Sequence, residues 1–171
     1  MNEPSNRPEI VPLTAPELAE VIALAHRIWH AHYPGIISPA QIDYMLTQRY
    51  SVERLQRELA MPEIRWELAR QARQLLGFAS TIHLPEMQEL KLDKIYVAPA
   101  AQSQGVGRAL VASALARAQT LACHALILAV NKNNKSAIRA YHRFGFVVRA
   151  EAKVDIGAGF IMDDFIMARS L

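Results

Sequence analysis

Apolar residues recur every three or four positions over the first third of the chain, the spacing of helices that bury one face. Thr14 begins a capping-box pattern, which predicts a helix over residues 14–32. Ser38 precedes a proline and is expected to open a second helix. Ser51 is expected to cap a third, short helix that ends at Leu59.

Beyond residue 60 the pattern changes to short apolar segments bounded by polar or proline-containing turns, which is typical of strands. The predicted strands are Ile64–Ala69, Leu75–His83, Glu89–Val97, Ala125–Val130, Phe146–Val148 and Phe160–Ala168. Helical spacing returns in Arg108–Leu121 and Asn134–Phe144. The continuous apolar run Ala125–Val130 is expected to be buried on both faces. This order predicts an α/β fold with a mixed, mostly antiparallel sheet flanked by helices.

Length and composition indicate one globular unit. The 171 residues fit a single domain, expected over residues 10–171, with residues 1–9 as a flexible tail. Hydrophobic residues make up 51% and charged residues 20%, which excludes a largely disordered chain. No apolar run approaches the roughly 20 residues that span a bilayer, so no membrane partner is expected. The polar N-terminus lacks a secretory apolar stretch, so a cytoplasmic location is expected.

Charge and metal-binding residues exclude further classes. The net charge of +3 is mild and no Lys/Arg run is present, so nucleic-acid binding is not indicated. Cys123 is the only cysteine, which excludes an internal disulfide and a multi-cysteine zinc site. His26 and His30 have a spacing that can bind zinc, but no glutamate of a metalloprotease motif accompanies them. No metal is therefore expected.

A glycine-containing turn between a predicted strand and helix carries candidate chemistry. Gly105 and Gly107 open the helix, where free N–H groups and the helix dipole can hold a phosphate. Arg108 could add a charge-assisted hydrogen bond. A plain strand-to-helix turn is the alternative. The chain has no Walker loop, and Leu110 occupies the third glycine position of a dinucleotide fingerprint, so a nucleotide-binding module is less supported.

The turn resembles a known family signature. Gln102-x-x-Gly105-x-Gly107 resembles the Q/R-x-x-G-x-G/A motif of the GNAT superfamily of acetyl-CoA-dependent N-acetyltransferases. A second segment at the usual distance downstream is also similar, Asn134-x-x-Ala137-x-x-x-Tyr141-x-x-x-Gly145-Phe146. The resemblance covers roughly residues 75–171 and implies a GNAT-like sheet with a splayed central strand. Residues 10–74 match only in predicted architecture.

The resemblance implies acetyl-CoA as cosubstrate. The signature begins at Gln102, and backbone amides would hold the pyrophosphate at Gln104, Gly105, Val106, Gly107 and Arg108. The strand backbone at Ile95 and Val97 would pair with the pantetheine arm. Asn134 would contact that arm or cap its own helix. The apolar pattern of the strand slips, which a β-bulge near Asp93 would explain.

The same resemblance implies direct attack of a primary amine on the thioester. The N–H of Val97 could hold the developing oxyanion, and Tyr141 is the candidate acid for the departing thiolate. Tyr141 packed in the core is the alternative. Lys91 stands near the position where some members carry a glutamate base, so Glu89 or Asp93 is the candidate base. Solvated strand-edge charges, or a water chain, are the alternatives.

The acceptor is expected to be a small-molecule or peptide amine. Trp29, His32 and Tyr33 fall at a helix junction that borders the acceptor pocket in the resembled fold; ordinary packing is the alternative. Of Asp163 and Asp164 on the last strand, one must face inward unless the strand bulges, where it could be a countercharge for the amine. A homodimer is left open, and a non-catalytic acyl-CoA sensor of the same fold is the rival function.

Overall fold

A computed structural model describes residues 7–171 as one seven-stranded sheet with helices on both faces. The strands are β1 Glu9–Pro12, β2 Ile64–Gln71, β3 Gln74–Leu84, β4 Glu89–Val97, β5 Ala125–Asn131, β6 Val147–Gly157 and β7 Phe160–Ser170. The helices are α1 Leu18–His32, α2 Pro39–Arg49, α3 Val52–Leu59, α4 Val106–Thr120 and α5 Lys135–Arg143. Among these residues, no helix is long and apolar enough to cross a membrane.

The sheet has the order β1-β2-β3-β4-β5-β7-β6, and every neighbouring pair is antiparallel except β4 with β5. This confirms the mixed, mostly antiparallel sheet predicted from the sequence. One buried cluster packs under α4, and a second packs under α1, α2 and α3. The two faces of the sheet are therefore both covered.

The predicted caps are present. The Glu17 carboxylate accepts a hydrogen bond from the Thr14 N–H at 2.9 Å, but residues 15–17 form a 3₁₀ turn, so α1 begins at Leu18 rather than at residue 14. The hydroxyl of Ser38 accepts the N–H of the third residue after it, and Ser51 does the same for α3. These side chains satisfy amides that a helix start leaves free.

Two strands depart from the predictions. β1 was not predicted, and its first residue, Glu9, falls in the segment that was expected to be a flexible tail; residues 1–6 of that segment lie outside the described part of the chain. β6 runs to Gly157, far beyond the predicted end at Val148. Its side chains are mostly exposed, so pairing with β7 rather than an apolar pattern defines it.

A bulge in β4 and a short contact with β5 shape the centre of the sheet. Ser80 pairs with Lys94 and Thr81 pairs with Leu92, which leaves Asp93 as the extra residue. The bulge near Asp93 is thus confirmed. β4 and β5 pair only over residues 89–91 and 125–127, and then diverge. The sheet is therefore splayed open between its two central strands.

Close approach of β3 to β4 requires a glycine beside this opening. A Cβ atom on Gly77 would lie 2.5 Å from the carbonyl oxygen of Tyr96. Such a contact is too short for any side chain, so Gly77 lets β3 support β4 along the edge of the opening.

Candidate active site

A cleft of about 670 Å³ occupies the opening between the diverging strands. One wall is β4 from Lys91 to Val97, and the other is β5 from Leu128 to Asn131. The last turn of α1 and the inner face of α5 complete it. Ala129 is the one exposed residue in the otherwise buried run 125–130, because it faces this cleft.

The backbone of β4 presents hydrogen-bonding groups to the cleft. The N–H of Ala98 donates to Leu76 of β3 at 2.8 Å, and Tyr96 pairs with Phe78 on the same side. Successive residues of a strand direct their backbone groups to opposite sides. The N–H and C=O groups of Ile95 and Val97 therefore point toward the splayed side, where β5 has diverged and does not pair with them.

The glycine turn lies at one end of the cleft. Gly105 has a φ of +83° and serves as the N-cap of α4, a left-handed conformation that favours glycine. The first hydrogen bond within the helix runs from the N–H of Ala109 to the carbonyl of Gly105. The backbone N–H groups of residues 106–108 therefore have no acceptor within the helix. Gln102 and Gly107 line the cleft.

The rest of the turn divides between solvent and core. Gln104, Gly105 and Arg108 are exposed. The side-chain amide of Gln104 donates a hydrogen bond to the carbonyl of Ala100 at 2.8 Å. Val106 is buried and anchors the start of α4 in the core. Its side chain is thus structural, and only its backbone amide is free for a ligand.

Asn134 is the N-cap of α5 and is buried beside the cleft. Its Oδ1 accepts hydrogen bonds from the Ala137 N–H at 3.3 Å and the Ser136 hydroxyl at 3.2 Å. The same atom lies 3.1 Å from Nε2 of His32. Asn134 therefore caps its helix, one of its two expected roles, and its side-chain oxygen is already used.

Tyr141 lies on the wall of the cleft formed by α5. Its ring makes an edge contact with Phe146 at 5.9 Å between centroids, the core packing that was the alternative to a catalytic role. Burial raises the pKa of its hydroxyl well above the ordinary value. The phenol is therefore protonated at physiological pH and is available as a proton donor.

Aromatic rings form the wall at the end of α1. Trp29 is 2% exposed and packs against Tyr33, with 4.4 Å between ring centroids and the ring planes tilted by 37°. The Tyr33 hydroxyl lies 3.2 Å from that of Tyr96, and burial raises the pKa of both phenols. Trp29 thus supports Tyr33 from behind, while His32 and Tyr33 present polar atoms at the cleft.

Asp93 lines the cleft but is engaged by three cations. Its carboxylate lies 2.9 Å from Arg49, 2.9 Å from Lys91 and 2.7 Å from Lys94. Despite burial, these cations hold the pKa of Asp93 far below its ordinary value. A carboxylate held so strongly in its ionised form is a poor proton acceptor, which argues against the predicted base role, and it is not a solvated edge charge.

The bulge that contains Asp93 rests on a buried ion-pair network. Lys94 also lies 3.3 Å from Glu58, whose carboxylate accepts hydrogen bonds from Arg54 at 2.6 Å and the Trp66 indole at 2.9 Å. Lys94 stands 4.9 Å over the Trp66 ring. The network ties α3 and β2 to the bulge and so stabilises the splay.

Glu89 is not among the residues that line the cleft. It pairs with Ala125 at the closed end of the β4–β5 contact, before the strands diverge. Its buried carboxylate accepts hydrogen bonds from Arg149 and lies 3.7 Å from His124. The candidate base Glu89 is therefore a structural carboxylate, and it is not a solvated charge.

Asp164 is the acidic side chain that faces the cleft from β7. It lines the cavity, whereas Asp163 points outward to Lys132 at 2.7 Å. The alternation of a strand predicted that one of this pair faces inward, and the structure shows that it is Asp164. Oδ1 of Asp164 is buried and has no hydrogen-bond partner among residues 7–171.

The histidines near the end of α1 point in different directions. His30 bonds to Asp43 at 3.1 Å on the outer surface, and His32 faces Asn134. Within the described residues, no group of three or more His, Cys, Asp or Glu could hold a metal ion.

Comparisons with known proteins find a matching family model and similar relatives. Residues 24–146 match the family model described as Acetyltransferase (GNAT) family. A protein named an uncharacterized N-acetyltransferase of Mycobacterium tuberculosis is 27% identical over 152 residues, which are 89% of this chain and 96% of that relative. A mycothiol acetyltransferase of Rhodococcus erythropolis is 36% identical over 76 residues, 42% of this chain and 25% of the relative.

Solved structures share the fold. The PaiA N-acetyltransferase of Thermoplasma acidophilum, crystallised with coenzyme A, superposes with a TM-score of 0.83 at 24% identity over 96% of this chain and 99% of that one. The spermidine N-acetyltransferase of Vibrio cholerae, crystallised with CoA and spermine, gives 0.73 at 20% identity, over 97% and 96% of the two chains.

Proposed function

This chain belongs to the acetyltransferase (GNAT) family, and from that premise we propose that it transfers an acetyl group from acetyl-CoA directly to a primary amine of a small molecule or peptide. The observation that carries the proposal is the cleft between β4 and β5. It places unpaired strand backbone, a glycine turn at a helix start and a protonated tyrosine around one cavity.

The residues present fit acetyl-CoA. The turn from Gln102 through Arg108 offers amides at a positive helix end for the pyrophosphate, and Arg108 adds a cation. Ile95 and Val97 offer backbone groups that can pair with the amide-containing pantetheine arm as a strand would. Asn134 lines the cleft beside them, with its amide nitrogen available to the arm because its oxygen caps α5.

Two groups serve the chemistry in this proposal. The N–H of Val97 holds the oxyanion that develops when the amine attacks the thioester carbonyl. Tyr141 donates its phenolic proton to the departing sulfur, a role that suits a phenol kept protonated by burial. The acceptor approaches beside His32 and Tyr33, with Trp29 supporting that wall from behind.

Ligand-dependent thermal stability tests the cosubstrate. Acetyl-CoA is expected to raise the melting temperature, because a ligand that binds only the folded state stabilises it, whereas ATP and NAD are expected to have little effect. Arg108→Ala should weaken the acetyl-CoA effect. Arg57→Ala, a matched change of an exposed arginine on α3, should not. Stabilisation by ATP or NAD alone would refute the proposal.

Turnover separates an enzyme from an acyl-CoA sensor. Release of free CoA thiol is followed with a panel of amines that includes a polyamine, amino acids and a peptide with a free N-terminus. Amine-dependent thiol release with a matching acetylated product supports transfer. Tight acetyl-CoA binding without release on any amine would instead favour the sensor.

Location and assembly are also proposals. We propose that the enzyme is cytoplasmic. Fractionation of cells that produce the tagged protein tests this.

A homodimer would fit the edge strand β6, whose exposed side chains include Val147, Val148 and Val154. Light scattering of the purified protein measures the assembly, and a monomer at micromolar concentration would exclude a stable dimer.

A further inference from the structure

Asp164 is a buried carboxylate that has no role in the proposed binding of acetyl-CoA, in holding the oxyanion or in protonating the sulfur. It is 9% exposed and lies on the cleft wall, and its Oδ1 lacks a hydrogen-bond partner among the described residues. An unpaired polar atom in a buried position costs free energy, and more so when it is charged. A carboxylate in this condition is explained when a bound ligand supplies the missing donor.

The position of Asp164 is suited to an acceptor. It pairs with Asn131 at the end of β5 that has diverged from β4, and it lines the same cleft as Val97. Tyr33 on the acceptor side is close enough for the Asp164 charge to contribute to its raised pKa. A ligand amine beside Asp164 therefore lies in the same cleft as the proposed thioester seat.

Among residues 7–171, no cation forms a close ion pair with Asp164. Burial first, and then the neighbouring Asp163, raise its pKa, against the weaker opposing effects of Arg49, Lys91 and Lys132. Arg49 and Lys91 are bound to another carboxylate, and Lys132 is bound to Asp163. A raised pKa makes Asp164 a stronger base than an exposed carboxylate.

We propose that Asp164 binds the ammonium group of the acceptor and accepts a proton from it. This proposal rests on the function proposed above and adds the recognition of a cationic amine, together with the base that Glu89 and Asp93 do not provide. Asp164 would be a catalytic residue, because it contacts the nitrogen that reacts.

Two protons leave the acceptor nitrogen during the transfer. The ammonium gives one proton to the Asp164 carboxylate, which frees the nitrogen lone pair. The N–C bond forms, the thioester C–S bond breaks, and Tyr141 protonates the sulfur. The nitrogen loses its second proton, which returns Tyr141 to its phenol form through solvent in the cleft. Asp164 then releases its proton to solvent, so that one proton is released overall.

A pair of adjacent variants tests the proposal. Asp164→Asn keeps the shape and removes the charge, and Asp163→Asn makes the same change on the outward face of β7. Asp164→Asn should lower kcat/KM for the amine about 10²-fold near neutral pH. The loss should diminish as the pH rises and the free amine becomes abundant. Asp163→Asn should stay within about twofold of the unmodified protein.

The dependence of kcat/KM on pH distinguishes proton acceptance by Asp164 from a purely structural role. A loss in Asp164→Asn that is equally large at every pH would overturn proton acceptance, and so would a kcat/KM that stays within about threefold of the unmodified protein. The KM for acetyl-CoA should be unchanged in both variants. The melting temperature of each variant confirms that the comparison is made between folded proteins.

A binding measurement separates this proposal from the proposed function. The amine panel is titrated calorimetrically into CoA-saturated protein, without turnover. Asp164→Asn should lose at least about tenfold in amine affinity while Asp163→Asn does not. Equal binding by Asp164→Asn overturns the Asp164 site even if acetyl transfer occurs. Amine binding that depends on Asp164 without transfer supports the site and refutes the enzyme. No binding and no transfer in the unmodified protein refute both.

Discussion

Nε2 of His32, at the end of α1, lies 3.1 Å from Oδ1 of Asn134, the cap of α5. The two residues are 102 positions apart in the chain. Because the Ala137 N–H donates to that same oxygen, the histidine nitrogen must be the donor. This hydrogen bond connects the acceptor side of the cleft to the helix that carries Tyr141.

Asn134→Ala removes both the cap of α5 and the partner of His32. The loss of a cap costs about 1 kcal/mol, so the free energy of unfolding should fall by at least about that amount. Asn133→Ala alters the exposed neighbour, whose side chain does not cap the helix, and should be close to neutral. Urea denaturation measures both. Equal stability of the two variants would contradict the importance of the cap.

Tyr141→Phe keeps the ring that packs on Phe146 and removes only the hydroxyl. If the phenol protonates the leaving sulfur, kcat should fall about 10²-fold while the affinity for acetyl-CoA and the melting temperature stay nearly constant. Steady-state kinetics and calorimetry measure these quantities. Because burial raises the pKa of Tyr141, no loss of this acid should be seen up to about pH 10. Unchanged kcat in the variant would remove the acid role.

Gly105→Ala and Gly107→Ala form a matched pair in the same turn. Gly105 is left-handed, so alanine there should cost about 1 kcal/mol and weaken acetyl-CoA binding by disturbing the turn. Gly107 lies within α4, and a Cβ atom there would meet only Val97, at 3.8 Å. Alanine at 107 should be neutral or stabilise the helix by up to about 1 kcal/mol. Thermal melts with and without acetyl-CoA compare them, and a larger loss for Gly107→Ala would contradict this reasoning.

Asp93→Asn tests the buried network at the bulge. Removing this carboxylate leaves Lys94 buried with one partner fewer, and should cost about 3 kcal/mol at neutral pH. The folded-state pKa of Asp93 is lowered by Arg49, Lys91 and Lys94, so its contribution is present above the unfolded pKa of about 4. Below that value the contribution falls by about 1.4 kcal/mol per pH unit, so the difference between the two proteins should shrink in acid. Urea denaturation at about pH 7 and pH 3 tests this, and a constant difference would contradict it.

Asp164→Asn should raise the melting temperature at neutral pH, although it is expected to impair activity. The folded-state pKa of Asp164 is raised, so its ionised form opposes folding above that pKa. The gain should vanish as the pH falls to about 4, where the carboxyl is protonated in both states. Asp163→Asn should show no gain, because Lys132 lowers the pKa of Asp163. A melting temperature that falls in Asp164→Asn would contradict an unpaired buried charge.

The predictions from sequence succeeded where the cause is local. The hydroxyl caps at Ser38 and Ser51 follow from hydrogen bonds three residues away, and the slipped apolar pattern located the bulge at Asp93. The extent of β6 could not be predicted, because its exposed residues carry no apolar alternation and only pairing with β7 makes it a strand. Local hydrogen bonds were therefore predictable from the sequence, whereas strand pairing between distant segments was not.

The identity of the carboxylate that accepts a proton could not be predicted from the sequence. Glu89, Asp93 and Asp164 are equivalent carboxylates in the sequence, and the first two were favoured because they flank Lys91, near the position where some members of the resembled family carry a glutamate base. Packing pairs Glu89 with Arg149 and surrounds Asp93 with cations from two elements, while Oδ1 of Asp164 has no hydrogen-bond partner in the part of the chain that the structure describes. The partners that decide these states are up to about 60 residues away in the chain.

The sequence by itself determined the order of the helices and of strands β2 to β7, the glycine turn that opens α4 and the motifs of the acetyltransferase family, because backbone conformation and capping depend on neighbours a few positions apart. Only the tertiary structure decided which carboxylates of the cleft are neutralised by cations, and which residue from α1 meets Asn134. Burial and ionisation depend on charges and surfaces brought together from distant segments, and the packing of the splayed sheet sets those distances.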